Sequence, residues 1–453
     1  MHKLDTIKNI YFIGIGGIGM SALARYFVSK GCVVSGYDKT ETALTKSLSD
    51  IGIQIHYEDS LDLIDKNASV VVYTPAIPAS HHELNYYRDN GYEVVKRSDV
   101  LGWITEGTTN ICVAGTHGKT TVSTMIAHIL RDSGYGCSAF LGGIAANYNT
   151  NFWSSSNNVV VVEADEYDRS FLKLSPSVAV ITSMDADHLD IYKTPEAFED
   201  AFVSFSERVQ KGGLLLAKKG LAREAAFNKD ILTTYSLAGE GVDSPQIFAT
   251  DITVVNGAYC FTAVGPNWTM QNLVLNMGGL HNIENALVAI AVAVHLGIEP
   301  EKIKTALESF AGVKRRFEYL IKTENQVLID DYAHHPAELS ALITGVRSLY
   351  PNEHLTLVFQ PHLFSRTLDL CDDFAKSLDA ADQVVLLPIY PARELPIPGV
   401  TSQIIVDKMA NNNVLLLQKE EVQNWVKAKQ PKLLVMAGAG DIDVLIKAIK
   451  NDL

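Results

Sequence analysis

The chain has 453 residues, and since one domain runs roughly 100 to 200 residues, two to four domains with cores of their own are expected. Hydrophobic residues make up 47% and charged ones 20%, a composition that excludes disorder and collagen-like structure. Lys and Arg number 38 against 52 Asp and Glu, and the formal charge of -14 excludes a global field that would hold nucleic acid. A phosphorylated small molecule could still bind where backbone amides, a metal ion and a few local cations converge.

Cys32, Cys112, Cys137, Cys260 and Cys371 are scattered and form no CxxC pair or zinc spacing, as expected of a reducing cytoplasm. The apolar run near the N-terminus is short and ends in glycines, and no stretch approaches 18 apolar residues, so neither a signal peptide nor a membrane span is expected.

The apolar run 10–15 enters a glycine turn and continues into a segment with helical spacing that ends at Gly31. Apolar strands at 32–37 and 69–73 follow, and the alternation predicts a parallel α/β sheet in a first domain, residues 1–107. Gly14, Gly16, Gly17 and Gly19 form G-x-G-x-x-G between strand and helix, and Asp38 ends the second strand. Such a turn, with the amides of a helix start, accepts a pyrophosphate, whether of NAD, FAD or a UDP-sugar.

A second strand, glycine turn and helix begin at Asn110, opening a central domain over 108–313. Its turn, Gly115-Thr116-His117-Gly118-Lys119-Thr120-Thr121, resembles a phosphate loop in which Val113 stands where the first glycine usually does. The amides around Gly118, the Lys119 ammonium and the Thr120 hydroxyl suit a triphosphate with Mg²⁺. Two more strands end in acids, Glu163-Ala-Asp165-Glu166 and Asp185-Ala-Asp187-His188-Leu189-Asp190. A carboxylate at such a strand end can reach a metal held by the phosphate loop, and the second cluster is a candidate further metal or acid-base site. The segment from about 213 to 275 reads as a small appended sheet, and a strongly apolar helix follows it.

Residues 314–453 repeat the α/β pattern with strands at LTLVFQP, QVVLLPIY and KLLVMAGAGD. Asp330-Asp331-Tyr332-Ala333-His334-His335 and Pro361-His362-Leu363-Phe364-Ser365-Arg366 follow strands of this unit, and Arg366 could clamp a carboxylate through its planar fork.

GIGGIGMS, GTHGKTT, EADE, DADHLD, LHNIENA, RRFE, DDYAHHP and FQPH, in this order over nearly the whole chain, resemble the Mur ligase family. The resemblance implies three domains: a Rossmann-like UDP-binding domain, a central ATPase domain and a Rossmann-like last domain that takes the amino acid. The doubled glycine of GIGGIG, the histidine of GTHGKTT and the doubled histidine of DDYAHHP are similar to the alanine-adding branch. So is Phe202, where several relatives carry a carbamylated lysine. The implied reaction is ATP-dependent joining of L-alanine to the lactyl carboxylate of UDP-N-acetylmuramate through an acyl phosphate, with Mg²⁺. The alternative within the family joins a murein tripeptide to the same sugar nucleotide.

The resemblance also implies individual roles: Lys119 for the γ-phosphate, Thr120 and Glu163 for one Mg²⁺, and His188 for a second. Asn282 and Asn285 would approach the adenine, Arg316 the phosphates and Asp331 the ribose, with His334, His335 and Arg366 facing the amino acid. Gly14, Gly16, Gly17, Gly19 and Asp38 would serve the UDP-sugar. Where the alanine-adding pattern often reads HRYTRTR, this chain keeps only the middle arginine, Arg366. The expected partners are small molecules, with monomer and dimer both left open.

Overall fold

The computed structural model describes residues 3–237, 244–392 and 394–453. The first sheet is built from β1 (Asn9–Ile13), α1 (Ile18–Ser29), β2 (Val33–Tyr37), α2 (Ala43–Ser49), β3 (Gln54–His56), β4 (Val70–Tyr73), α3 (His82–Asp89), β5 (Val94–Lys96) and α4 (Arg97–Thr105). Its strands are parallel in the order β3-β2-β1-β4-β5. Phe12 and Ile13 of β1 and Val71 and Val72 of β4 are all fully buried, as strands covered on both faces require.

The second sheet comprises β6 (Thr109–Ala114), α5 (Lys119–Asp132), β7 (Ser138–Ala145), β8 (Thr150–Trp153), β9 (Val159–Glu163), β10 (Val178–Ile181), α6 (Leu189–Tyr192), α7 (Pro195–Ser206), β11 (Leu214–Lys218) and β12 (Leu232–Tyr235). The order is β12-β11-β10-β6-β9-β7-β8, parallel except for the antiparallel β8. Strands β10, β6 and β9 are therefore neighbours, and their carboxyl ends, which carry the three motifs of this domain, share one edge.

The segment from 213 onward departs from the expected small sheet. β11 and β12 extend the central sheet, because Leu215, Leu216 and Ala217 are apolar enough to be buried on both faces. The separate sheet is limited to β13 (Phe248–Val255), β14 (Ala258–Gly265) and β15 (Trp268–Leu275).

Helices α8 (Leu280–His295) and α9 (Pro300–Ser309) precede the last sheet. It comprises β16 (Glu318–Lys322), β17 (Val327–Asp331), α10 (Pro336–Leu349), β18 (Leu355–Phe359), α11 (Phe364–Asp369), α12 (Cys371–Leu378), β19 (Gln383–Leu386), α13 (Gln403–Val406), β20 (Val414–Leu416), α14 (Lys419–Lys429), β21 (Leu433–Ala437) and α15 (Asp443–Asp452). Its order is β16-β17-β21-β18-β19-β20, with only β16 antiparallel.

Two compact units result. The first holds the chain up to Thr250 with Ala263–Met270 and Glu284–Leu307, and the second holds Asp251–Thr262, Gln271–Ile283 and Glu308–Leu453. Within the first unit one core joins its two sheets: Tyr26 of α1 packs on Phe140 and Phe152, with ring centroids 5.4 and 6.2 Å away. Asn151 of β8 donates to the Ile18 carbonyl at 2.6 Å and to Ser21 Oγ at 3.0 Å. Among the described residues no helix is long and apolar enough to cross a membrane.

Candidate active site

In the first unit the glycine turn leaves β1 and opens α1. Asp38 holds it from the end of β2: Gly16 N–H donates to Oδ2 at 2.7 Å and Thr40 N–H to Oδ1 at 3.2 Å. Asp38 thus spends both oxygens on backbone, as a brace of the turn. Gly17 caps α1 without any side-chain acceptor, so first-turn amides stay available for an anion.

The phosphate loop joins β6 to α5. Gly115 has φ +135° and a Cβ there would overlap Thr182 Oγ1, while Gly118 caps α5 at φ +83°; both positions demand glycine. Thr182 Oγ1 donates to the His117 carbonyl at 2.5 Å and His117 N–H to Ser183 Oγ at 2.8 Å, pinning the loop to the end of β10. Thr116 Oγ1 donates to the Asp185 carbonyl at 2.7 Å. Asn285 of α8 reaches the same loop, for a Cβ on Gly118 would lie 3.2 Å from its Oδ1.

The acids at the end of β9 and in the turn after it are all engaged at rest. Glu163 accepts from Thr120 Oγ1 at 3.1 Å and from Gly142 N–H at 3.0 Å. Asp165 accepts from Arg97 Nη2 at 2.9 Å. Glu166, whose side chain is 3% exposed, accepts from Lys119 Nζ at 2.7 Å. Its Oε2 is buried with no hydrogen-bond partner among the described residues. Lys119 Nζ also donates to the Gly115 carbonyl at 2.5 Å, and so curls back over its own loop.

Thr120 and Glu163 are thus brought together, one hydroxyl and one carboxylate facing each other. His188 caps α6 at φ +52° and sets its ring edge-on to Tyr167 at 5.2 Å, with Nε2 3.8 Å from Asp187. Tyr167 and Glu163 both line a cavity of about 450 Å³ that also takes in Gly17, Gly19 and Arg97. Asp190 lies outside the described side chains.

In the second unit β17, β21 and β18 are neighbours, so their carboxyl ends gather the remaining candidates. Asp331 accepts from Phe317 N–H and Ala333 N–H, each at 2.7 Å; burial pushes its carboxyl up to about 6 while those two amides pull it down. Burial pushes neighbouring Asp330 up to about 7 in spite of Arg315, whose Nε is 3.6 Å away. Arg315 donates to the Gly438 carbonyl at 2.5 Å and lies 5.0 Å from the Tyr332 ring centre, whereas the Arg316 side chain is exposed. Asn282 Nδ2 donates to the Gly278 carbonyl at 2.7 Å, closing the turn before α8.

His334 and Arg366 meet through His362: the two rings are 5.8 Å apart, and Arg366 Nη1 is 3.3 Å from His362 Nδ1. With Arg366 donating there, Nδ1 is the acceptor and Nε2 carries the proton. Burial, Arg366 and His334 all lower the His362 pKa, which keeps that neutral form. Tyr390 stacks on His362 at 5.7 Å. The structure does not bring His335 to this group; it caps α10 and lines a separate groove with Ser340 and Lys376. Arg97 and Tyr390 escaped the sequence reading, although each follows an apolar strand as the other site residues do.

Three family models match in succession: Mur ligase family, catalytic domain, over 9–109; Mur ligase middle domain over 113–293; and Mur ligase, glutamate ligase domain, over 315–448. The UDP-N-acetylmuramate--L-alanine ligase of Porphyromonas gingivalis is 48% identical, over 98% of this chain and 99% of its own length. That of Flavobacterium psychrophilum is 49% identical over 100% and 99%. Among solved structures, the UDP-N-acetylmuramate-alanine ligase MurC of Thermotoga maritima superposes with a TM-score of 0.82 at 28% identity, covering 98% of each chain. A murein peptide ligase of Psychrobacter arcticus shares the fold at a TM-score of 0.63 and 23% identity, over 98% of this chain and 99% of its own. The strand-end motifs of the central sheet, the glycine turn of the first and the full-length likeness to these ligases agree, and the chain belongs to the Mur ligase family.

Proposed function

We propose that this chain joins L-alanine to the lactyl carboxylate of UDP-N-acetylmuramate, using ATP and releasing ADP and phosphate. The observation that carries the reading is the shared cavity, lined both by the glycine turn of a pyrophosphate site and by Glu163, the acid bonded to the phosphate loop. A substrate carboxylate tethered to a nucleotide diphosphate fits a site in which those two lie together. We place the domains at 1–107, 108–313 and 314–453 and the protein in the cytoplasm.

A free carboxylate is a poor acyl donor, so its oxygen first attacks the γ-phosphorus and ADP leaves; the alanine amine then attacks the acyl carbon and phosphate leaves. Lys119 would turn from Glu166 and the Gly115 carbonyl to the γ-phosphate, neutralising charge on the transferring group. Gly115, Thr116, His117, Gly118 and Thr121 complete the loop around the nucleotide. Asn282 and Asn285 are assigned to the adenine, Asp331 to the ribose and Arg316 to the phosphates.

Mg²⁺ fits Thr120 and Glu163, since a hard cation prefers one hydroxyl and one carboxylate with phosphate and water oxygens filling the other positions. Among the described residues no group of three or more His, Cys, Asp or Glu could hold a metal unaided, which agrees with that mixed shell. Bound there, it would offset charge on the phosphoryl oxygens. His188 is assigned to a second such ion. His334 and Arg366 are assigned to the amino acid, with Arg366 facing its carboxylate, and His335, which caps α10 beside a separate groove, is left out of that site.

The test is phosphate release from ATP and Mg²⁺ with UDP-N-acetylmuramate against L-alanine, glycine, L-serine and the murein tripeptide, with product mass determined. Preference for L-alanine is expected. Turnover with the tripeptide alone would reassign the acceptor, and turnover with none would remove the ligase reading for this substrate.

A further inference from the structure

We propose that Arg97 is the side-chain cation that holds the pyrophosphate of the sugar nucleotide, with Asp165 as its resting counter-ion. The inference deepens the proposed function and rests on the first domain being the sugar-nucleotide domain. Arg97 begins α4 just after β5, in the same sheet whose β1 ends in the glycine turn. Its guanidinium lies against that turn: a Cβ on Gly19 would sit 2.8 Å from Nη1 and 3.2 Å from Cδ. Glycine at 19 therefore makes room for an arginine side chain, a use of the glycine pattern that the motif alone does not disclose.

Charge makes the assignment specific. Lys96 and Arg97 supply the only Lys or Arg side chains among the described residues lining the cavity, which also carries Glu163 and Asp165. Lys96 Nζ pairs with Asp168 at 2.5 Å, and of the two cations it is Arg97 that lies against the glycine turn, at Gly19. The backbone amides of α1 offer partial charge only, and a full cation beside them adds to the hold on a pyrophosphate.

Arg97 can be released for that task at little cost. The Arg97 and Asp165 side chains are 22% and 40% exposed, so the solvent-screened pair contributes little by itself. A phosphate presenting two oxygens to the planar fork replaces one carboxylate oxygen.

The test is calorimetric binding of UDP and of UDP-N-acetylmuramate, without ATP or amino acid, to the full-length wild type and to Arg97→Gln, Arg97→Lys and Asp165→Asn. Arg97→Gln is expected to weaken both ligands by about 10–100-fold, the range for a charged hydrogen-bonding group, while ATP affinity stays at the wild-type value. Arg97→Lys should recover only part of the loss, and Asp165→Asn should bind both ligands at least as tightly as wild type. Wild-type affinity for UDP in Arg97→Gln would overturn the proposal, as would weakening confined to the muramyl compound, which would assign Arg97 to the lactyl carboxylate. Equal loss of ATP affinity in Arg97→Gln would mark a folding defect and also overturn it, with Asp165→Asn as the independent check. A wild type that turns over UDP-N-acetylmuramate while Arg97→Gln binds it normally separates failure of this proposal from failure of the functional reading.

Discussion

Lys119→Ala tests whether the ion pair beneath the phosphate loop is a buried charge pair. Lys119 Nζ and Glu166 Oε1 are 2.7 Å apart with side chains 15% and 3% exposed, and among the described residues Glu166 Oε2 already lacks a partner. Removing the lysine strands a carboxylate that no other cation among the described residues pairs with, so the loss is that of breaking a buried pair, about 3–5 kcal/mol. Glu166→Ala together with Lys119→Ala removes both charges, and the double variant should be less destabilised than the sum of the singles by about 1–3 kcal/mol. The assay is urea denaturation followed by the fluorescence of Trp103, Trp153 and Trp268, which lie in the first unit, in a background with Trp425 replaced by Phe. A loss under about 1 kcal/mol for Lys119→Ala, with additive singles, would refute the reasoning. Glu166 would then be solvated in solution, and the curled lysine a surface contact.

Three further outcomes are expected. Gly142→Ala would push its Cβ into the Glu163 carboxylate and carry that group off Thr120, so the Mg²⁺ concentration giving half-maximal phosphate release should rise several-fold, about tenfold if one hydrogen bond's worth, ~1.4 kcal/mol, is lost; an unchanged Mg²⁺ requirement would count against Glu163 as a ligand. Phe202→Lys would place an ammonium among Phe171 and Phe198, whose ring centroids are 5.1 and 5.2 Å from that of the fully buried Phe202, and should cost at least about 3 kcal/mol by denaturant midpoint. Activity of the wild type should accordingly be indifferent to removal of dissolved CO₂. Asp330 is faced by Arg315, Glu318, Asp331 and Asp443, and its folded carboxyl titrates at about 7 against 3.8 ordinarily. Between those values the folded state binds the extra proton, so this group's contribution falls as pH rises from about 4 to 7. Asp330→Asn should therefore raise the melting temperature at pH 8 more than at pH 5, and the reverse order would contradict the burial argument.

Much of this molecule is legible as local pattern. Buried parallel strands read as unbroken apolar runs, which is why β9, β10 and β18 are visible without coordinates. The phosphate loop is equally plain, because Gly115 and Gly118 must adopt conformations that other residues resist, and the chemistry of Lys119 and Thr120 is written beside them. The assignment of residues 213–235 to a small sheet failed for a related reason. Short strands such as β11 and β12 have no periodicity that tells which sheet edge they join, and that is decided by pairing with β10.

The sequence alone determined the alternation of strand, glycine turn and helix, the phosphate loop and the acids at strand ends, since each follows from covalent neighbours and backbone sterics. Only the tertiary structure decided which cation meets which acid. Lys119 is 47 residues from Glu166, and Arg97 is 68 from Asp165 and far along the chain from Gly19. Those pairs exist because parallel strands β10, β6 and β9 end at one edge and because α1 and α4 share a core with the central sheet. His334 and His335, adjacent in sequence, part company for the same reason: the chain turns into α10 between them, so one ring faces His362 and the other a surface groove.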